Sequence, residues 1–176
     1  LHQQRRAGIL LHPTSLPGPW AHGVICHDAY RFVEFLAEAG ITLWQTLPLG
    51  PTHSDGSPYH ALSANAGEAS LLSLDWLRDR GLLKTLPARH DAASHQHSLR
   101  RAWSFLQANS ALPLHDEFRE FAAQQAGWLT DYALFMAMRD EHKQLPWTKW
   151  PAALRDRDAN ALAAFGSKYS EAVDFH

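Results

Sequence analysis

The stretch Asp28-Ala-Tyr-Arg-Phe-Val-Glu-Phe-Leu-Ala-Glu-Ala-Gly-Ile-Thr-Leu-Trp-Gln-Thr-Leu47 decides the fold of this chain. Its first half has period 3.6: Ala29, Phe32, Val33, Leu36 and Ala39 share one face, and Arg31, Glu34 and Glu38 lie off it. Asp28 suits the first turn of a helix and Gly40 the position just past the last. The second half, from Ile41 to Leu47, is an apolar run of strand length. Upstream, Ala7-Gly-Ile-Leu-Leu-His12 is another, ending at Pro13. Strand, helix and strand within some forty residues, with both strands apolar on both faces, predict a βαβ unit in a parallel sheet.

Working outward, the chain turns helical after residue 70. A short helix runs from Leu74 to Arg80 and stops at Gly81, and Leu99, Ala102, Trp103 and Leu106 mark a second. Leu86 to Ser98 reads as a polar connector. The longest helix is expected from about Asp116 to His142, with Phe118, Phe121, Ala122, Gln125, Trp128, Leu129, Tyr132, Phe135 and Met136 as its inner stripe. A last helix from near Asp156 turns Ala159, Leu162, Ala163, Tyr169 and Val173 inward. Two parallel strands do not make a stable sheet alone. The chain opens on Leu1, and its last helix stops without a Gly or Pro signal. These features predict an α/β fold: the amino-terminal part of a (β/α)8 TIM barrel, its first two parallel strands, with a helical insertion subdomain. The expected division is 1–70 for the barrel start and substrate loops, 71–155 for the insertion, and 156–176 for a helix leading back into the barrel.

Composition narrows the function. With 176 residues, 45 % hydrophobic and 19 % charged, the chain is of ordinary globular type, and a formal charge of −2 gives no electrostatic case for nucleic acid or an anionic membrane. The lone Cys26 cannot form an internal disulfide, and the apolar run after Arg6 is broken too soon by Pro13 and Pro17 for a signal peptide or span. A cytoplasmic location is the expectation. No phosphate or dinucleotide cradle is spelled out, so no cofactor is expected.

In parallel α/β architectures ligands bind at the carboxyl ends of strands. The two loops so placed are Pro13 to Gly23 and Gly50 to Gly67, both rich in Gly, Pro, hydroxyls and single aromatics. An aromatic face against the C–H side of a pyranose, with hydroxyls for the sugar hydroxyls, is the chemistry they offer. Trp20 and Tyr59 equally well pack such loops onto a barrel rim.

The residues themselves resemble a family. His12-Pro-Thr-Ser-Leu-Pro-Gly-Pro19, Trp44-Gln-Thr-Leu-Pro-Leu-Gly-Pro-Thr52, Ser57-Pro-Tyr59, Asp131-Tyr-Ala-Leu-Phe-Met-Ala137 and Leu145-Pro-Trp-Thr-Lys-Trp-Pro151 are similar to the amylomaltases. These are 4-α-glucanotransferases, or disproportionating enzymes, of the α-amylase clan. The resemblance implies transfer of α-1,4-glucan segments between maltooligosaccharides, maltose included, on a TIM barrel by a retaining mechanism with two carboxyls. It places those carboxyls, and a third that assists them, on later strands, so no residue here is expected to be catalytic. It implies that Tyr59 stacks on a glucose ring at the cleavage point, with Ser57 beside it. A non-catalytic α-glucan-binding module and an inactive relic of the family are the rival readings.

The chain departs from the family pattern in and around these loops. His60 stands where Gln is usual, Glu68 and Ala69 where Asn and Pro are usual, and Ala21 and Cys26 where Gly is common. Asp55 is a tempting acid, but before a Gly it suits an Asx-turn better. His95-Gln-His97 with His90 suggests zinc, yet a structural site needs three or four ordered ligands, and the segment reads as an exposed connector. No metal is expected. Cys26 reads as a small buried or half-exposed thiol. Trp147 and Trp150 fit either the packing of the insertion or an outer glucan groove.

Overall fold

The computed structural model describes residues 5–20 and 22–176. The departure at Ala21 lies outside the described residues. The chain forms two compact units, Leu1–Ser110 and Ala111–His176.

In the first unit, strand β1 (Gly8–Leu10) pairs in parallel with β2 (Leu43–Gln45), in the register Gly8↔Leu43, Ile9↔Trp44 and Leu10↔Gln45. Helix α1 (His27–Glu38) joins them, giving the expected βαβ order. It ends because Gly40 takes φ +71°, which lets Gly40 N–H reach Ala37 O (3.0 Å) and Ile41 N–H reach Leu36 O (2.8 Å). That is a Schellman stop, and its left-handed residue favours glycine. Phe32 of α1 meets the Trp44 indole edge-on at 5.0 Å, and Trp44 Nε1 donates to Leu11 O at 2.8 Å.

The inner stripe of α1 is narrower than its sequence predicts. Ala29 and Leu36 are buried and Phe32 is half-buried, but Val33 and Ala39 are exposed. Two three-residue strands are too narrow to cover the whole face. For the same reason the strands are not apolar-buried on both faces: Leu10 is 59 % and Leu43 44 % exposed. Among the described residues the sheet has two strands.

Helix α2 (Leu74–Asp79) is capped by Ser73, whose hydroxyl accepts from Trp76 N–H, and stops at Gly81. Helix α3 (Ala92–Ala108) corrects the expectation of a polar connector across 86–98. Asp91 caps it by accepting from Ser94 N–H at 2.8 Å. The polar residues that suggested a loop are partly buried: Ser98 donates to Ser94 O, and His95 lies in the unit's interior. Leu74, Leu77, Leu82, Leu83, Ala102 and Leu106 belong to the same apolar interior.

The second unit is helical. The single long helix expected from Asp116 to His142 is two, α4 (Pro113–Gln124) and α5 (Ala126–Glu141), broken at Gln125 (φ −99°, ψ 5°). The expected stripe is also displaced. No residue of α4 is fully buried, Phe121 is 51 % exposed, and α5 buries Ala133, Ala137 and Met138. The rings at 118 and 128 are half-buried and that at 121 is exposed. A short α6 (Ala152–Arg155) leads to α7 (Ala159–Lys168) and α8 (Ser170–Phe175), so the expected last helix is also divided, at Tyr169. Ala159 and Ala163 face outward, whereas Leu162, Tyr169 and Val173 pack on the core of Ala137, Met138, Trp150 and Phe165. Asp158 caps α7 by accepting from Ala161 N–H.

Candidate functional site

The two strands end side by side, so the loops that follow them start together. His12, immediately past β1, ties them. Its Nδ1 lies 2.8 Å from Thr14 Oγ1 and accepts from Thr14 N–H at 3.4 Å, and its Nε2 lies 3.4 Å from Pro48 O. A neutral imidazole protonated on Nε2 satisfies all three contacts. Sequence reasoning gave His12 no role beyond its motif; the usable signal was its place between the strand and Pro13.

The first loop folds back on itself. Pro13–Ser15 form a 3-10 turn, and Gly23 N–H reaches Thr14 O at 2.9 Å. A Cβ at Gly23 would sit 2.2 Å from Pro13 O and 2.7 Å from Leu16 O, so the closure demands glycine. Trp20 is buried, with its ring 4.5 Å from the His90 ring and 5.9 Å from the His95 ring. Trp20 thus serves in packing, against His90 and His95, and does not offer a free face.

The second loop is closed twice at its base. Glu68 N–H donates to Leu49 O (2.8 Å), and Glu68 Oε2 and Oε1 accept from Thr52 N–H (3.3 Å) and Ser70 N–H (2.9 Å). Farther out, Thr52 and Ala61 form an antiparallel bridge, and Leu62 N–H donates to Pro51 O at 2.7 Å. Beyond that bridge is the tip, His53 to His60. Asp55 makes the Asx-turn expected of it: Oδ1 accepts from Ser57 N–H at 3.2 Å across Gly56, which has φ +66°. Its Oδ2 lies 3.1 Å from His60 Nδ1. The Ser57 N–H first, and then His60, hold the Asp55 carboxyl below the usual carboxylate range. It stays ionised near neutrality, the wrong state for a general acid.

Ser57 and Tyr59 both lie on this tip. Ser57 is half-buried and Tyr59 is 74 % exposed. A ring so open, on a loop braced at its base, presents a face to solvent. The departures from the family pattern at His60 and Glu68 both have partners within the loop. Cys26 is half-buried at the head of α1, its Sγ 3.9 Å from Asp28 Oδ2.

The histidines that suggested zinc do other work. His95 Nε2 donates to Leu72 O at 2.9 Å, and His90 Nδ1 bonds Pro19 O. Among the described residues no group of three or more His, Cys, Asp or Glu side chains is arranged to hold a metal ion. Among the described residues, no helix is long and apolar enough to cross a membrane. In the second unit Trp150 is buried against Phe135 and His142, and Trp147 is exposed.

Comparison with known proteins gives these loops a context. Residues 11–176 match the family model of glycoside hydrolase family 77, described as 4-alpha-glucanotransferase. The chain is 41 % identical to the 4-alpha-glucanotransferase of Thermus thermophilus, over 98 % of this chain and 36 % of that protein. It is 36 % identical to the chloroplastic/amyloplastic 4-alpha-glucanotransferase of Solanum tuberosum, over 99 % and 32 %. Among solved structures it is similar to the amylomaltase of Streptococcus agalactiae in complex with acarbose, with a TM-score of 0.88 and 29 % identity, over 98 % of this chain and 37 % of that one. The chain thus spans about a third of the length of the relatives it matches.

Proposed function

The chain belongs to the 4-alpha-glucanotransferase family, and we propose that it forms the amino-terminal part of an enzyme that transfers α-1,4-glucan segments between maltooligosaccharides. The family match and the structural likeness support the expected fold, the first two parallel strands of an amylomaltase barrel with helical elements. In this reading residues 71–155 are the insertion and 156–176 lead back toward the barrel.

Transfer with retention proceeds through a covalent glycosyl intermediate and needs two carboxyls about 5–5.5 Å apart. We assign neither to this chain. Its contribution is binding. Tyr59 offers an aromatic face to the C–H side of a glucose ring, and the Ser57 hydroxyl stands ready for a sugar hydroxyl. Buried Trp20 is left out of this role.

The observation that carries the reading is the exposed Tyr59 ring on a doubly closed loop in a family-matched chain. The test uses the full-length protein. Tyr59→Phe keeps the face and is expected to retain most activity on maltotriose. Tyr59→Ala removes it and is expected to lower kcat/KM by roughly tenfold or more, since ~1.4 kcal/mol is a factor of ten. Wild-type kinetics in Tyr59→Ala, with a lowered melting temperature, would mean that the ring packs the loop and holds no sugar.

A further inference from the structure

The tip that carries Tyr59 has little packing, so something else must set the direction of the ring. The Asp55 carboxylate spans the tip. Oδ1 accepts the N–H of Ser57, Oδ2 meets His60 Nδ1, and His60 N–H in turn donates to Ser57 O at 2.9 Å. Ser57 and Tyr59 therefore lie inside a ring of bonds whose two side chains flank them in sequence. We propose that Asp55 and His60 are positioning residues for the Tyr59 platform: their side-chain bridge fixes the backbone of 57–60 and, with it, the angle of the ring. This inference rests on the glucan-stacking reading of Tyr59.

The energetics suit a local role. Both side chains are exposed, at 50 % and 72 %, and an exposed polar contact of this kind adds little to global stability. Its effect falls on a tip that is otherwise held by a few backbone bonds, among them Gly56 N–H to His53 O and His60 N–H to Ser57 O, and by little packing. There, each free backbone residue lowers the share of time the ring spends in a productive pose. The Ser57 N–H first, then His60, and last His53 nearby favour the charged form of the carboxylate. Glutamine at 60 would carry an amide N–H that can donate to the same carboxylate, so His60→Gln is the conservative exchange.

In the full-length protein, Asp55→Ala and His60→Ala are each expected to raise KM for maltotriose roughly threefold to tenfold, with kcat within about twofold and the melting temperature unchanged. The double variant is expected to be no worse than either single one, since one bridge is lost in each case. His60→Gln restores wild-type KM, and in a Tyr59→Ala background His60→Ala adds nothing. Carboxyl NMR gives a readout independent of glucan: the titration midpoint of Asp55 moves up in His60→Ala. Wild-type KM in His60→Ala, in a protein that Tyr59→Ala does impair, overturns the positioning role alone. An effect of His60→Ala that persists without the Tyr59 ring, or an unmoved Asp55 midpoint, overturns it as well. A kinetically silent Tyr59→Ala marks instead the failure of the glucan reading, and the positioning role falls with it.

Discussion

The imidazole of His95, in the first turns of α3, donates from Nε2 to the carbonyl of Leu72 at 2.9 Å, tying the helix to the segment that enters α2. The bond requires a proton on Nε2, and the buried setting favours a neutral ring. Burial pushes the imidazole below its ordinary value of 6.5, and the nearby charge of His22 acts in the same direction. The Leu72 carbonyl and Glu68 oppose them without reversing the sign.

The pH dependence follows. The folded protein takes up this proton at lower pH than the unfolded chain does, so the contribution of His95 is fully present above about pH 6.5 and is lost as pH falls below that value. The melting temperature of the first unit is expected to drop between pH 7.5 and pH 5.5. In His95→Gln, which keeps an N–H donor and removes the titration, the drop is expected to be smaller. Equal drops in the two proteins would show that His95 does not govern this window.

The βαβ unit was legible in the sequence because three independent signals agree there: two apolar runs, a 3.6-residue period between them, and Gly40 at the stop. The start of α3 was hidden because Asp91 caps a helix whose first turns, Ser94 to His97, are polar. Buried His95 and Ser98 find hydrogen-bond partners that a hydropathy pattern cannot display. The break at Gln125 was invisible because neither Pro nor Gly marks it and the spacing of rings continues across it. Tyr59 stood out in the sequence as a single aromatic in a Gly- and Pro-rich loop, and the roles expected of Tyr59 and Ser57 came from resemblance. The bonds that brace them, from Asp55, His60 and Glu68, are contacts between residues up to sixteen apart, which no local pattern reports.

Glu68 braces the base of the loop from Gly50 to Gly67. It closes the base through three bonds at once, to Leu49 O, Thr52 N–H and Ser70 N–H. Glu68→Ala removes the two side-chain bonds, including the cap of the 3-10 turn Ala69–Leu71, and is expected to cost about 1 kcal/mol. Amide exchange at Thr52 and Ser70 is expected to accelerate in the variant while exchange in α3 stays as it was. Unchanged exchange at both amides would refute the bracing role.

At the end of α5 two residues in succession adopt left-handed backbone, Lys143 (φ 53°) and Gln144 (φ 64°). A side chain at such a position costs roughly 1–2 kcal/mol, partly offset by the extra freedom that glycine has in the unfolded chain. Lys143→Gly is therefore expected to stabilise the second unit by up to about 1 kcal/mol, seen as a rise of its melting temperature. Lys143→Ala keeps the Cβ and is expected to give no such rise.

Trp150 anchors the second unit. It is 5 % exposed, its Nε1 donates to Leu145 O at 3.0 Å, and its ring lies 5.5 Å from that of Phe135 and 5.3 Å from that of His142. Trp150→Ala leaves a cavity beside Ala137, Met138 and Phe165 and removes the donor to the Leu145 carbonyl. Substitutions of this kind cost roughly 3–5 kcal/mol, a large fraction of the stability of a small domain. Trp150→Phe keeps most of the packing and gives up the hydrogen bond, so it is expected to cost on the order of 1–2 kcal/mol. Trp147, exposed three residues earlier, is the control: Trp147→Ala is expected to change the melting temperature little. Denaturant unfolding of the four proteins, followed by helical circular dichroism, checks the order. Equal losses from Trp147→Ala and Trp150→Ala would mean that the two indoles share the load, and that the buried one is not the anchor.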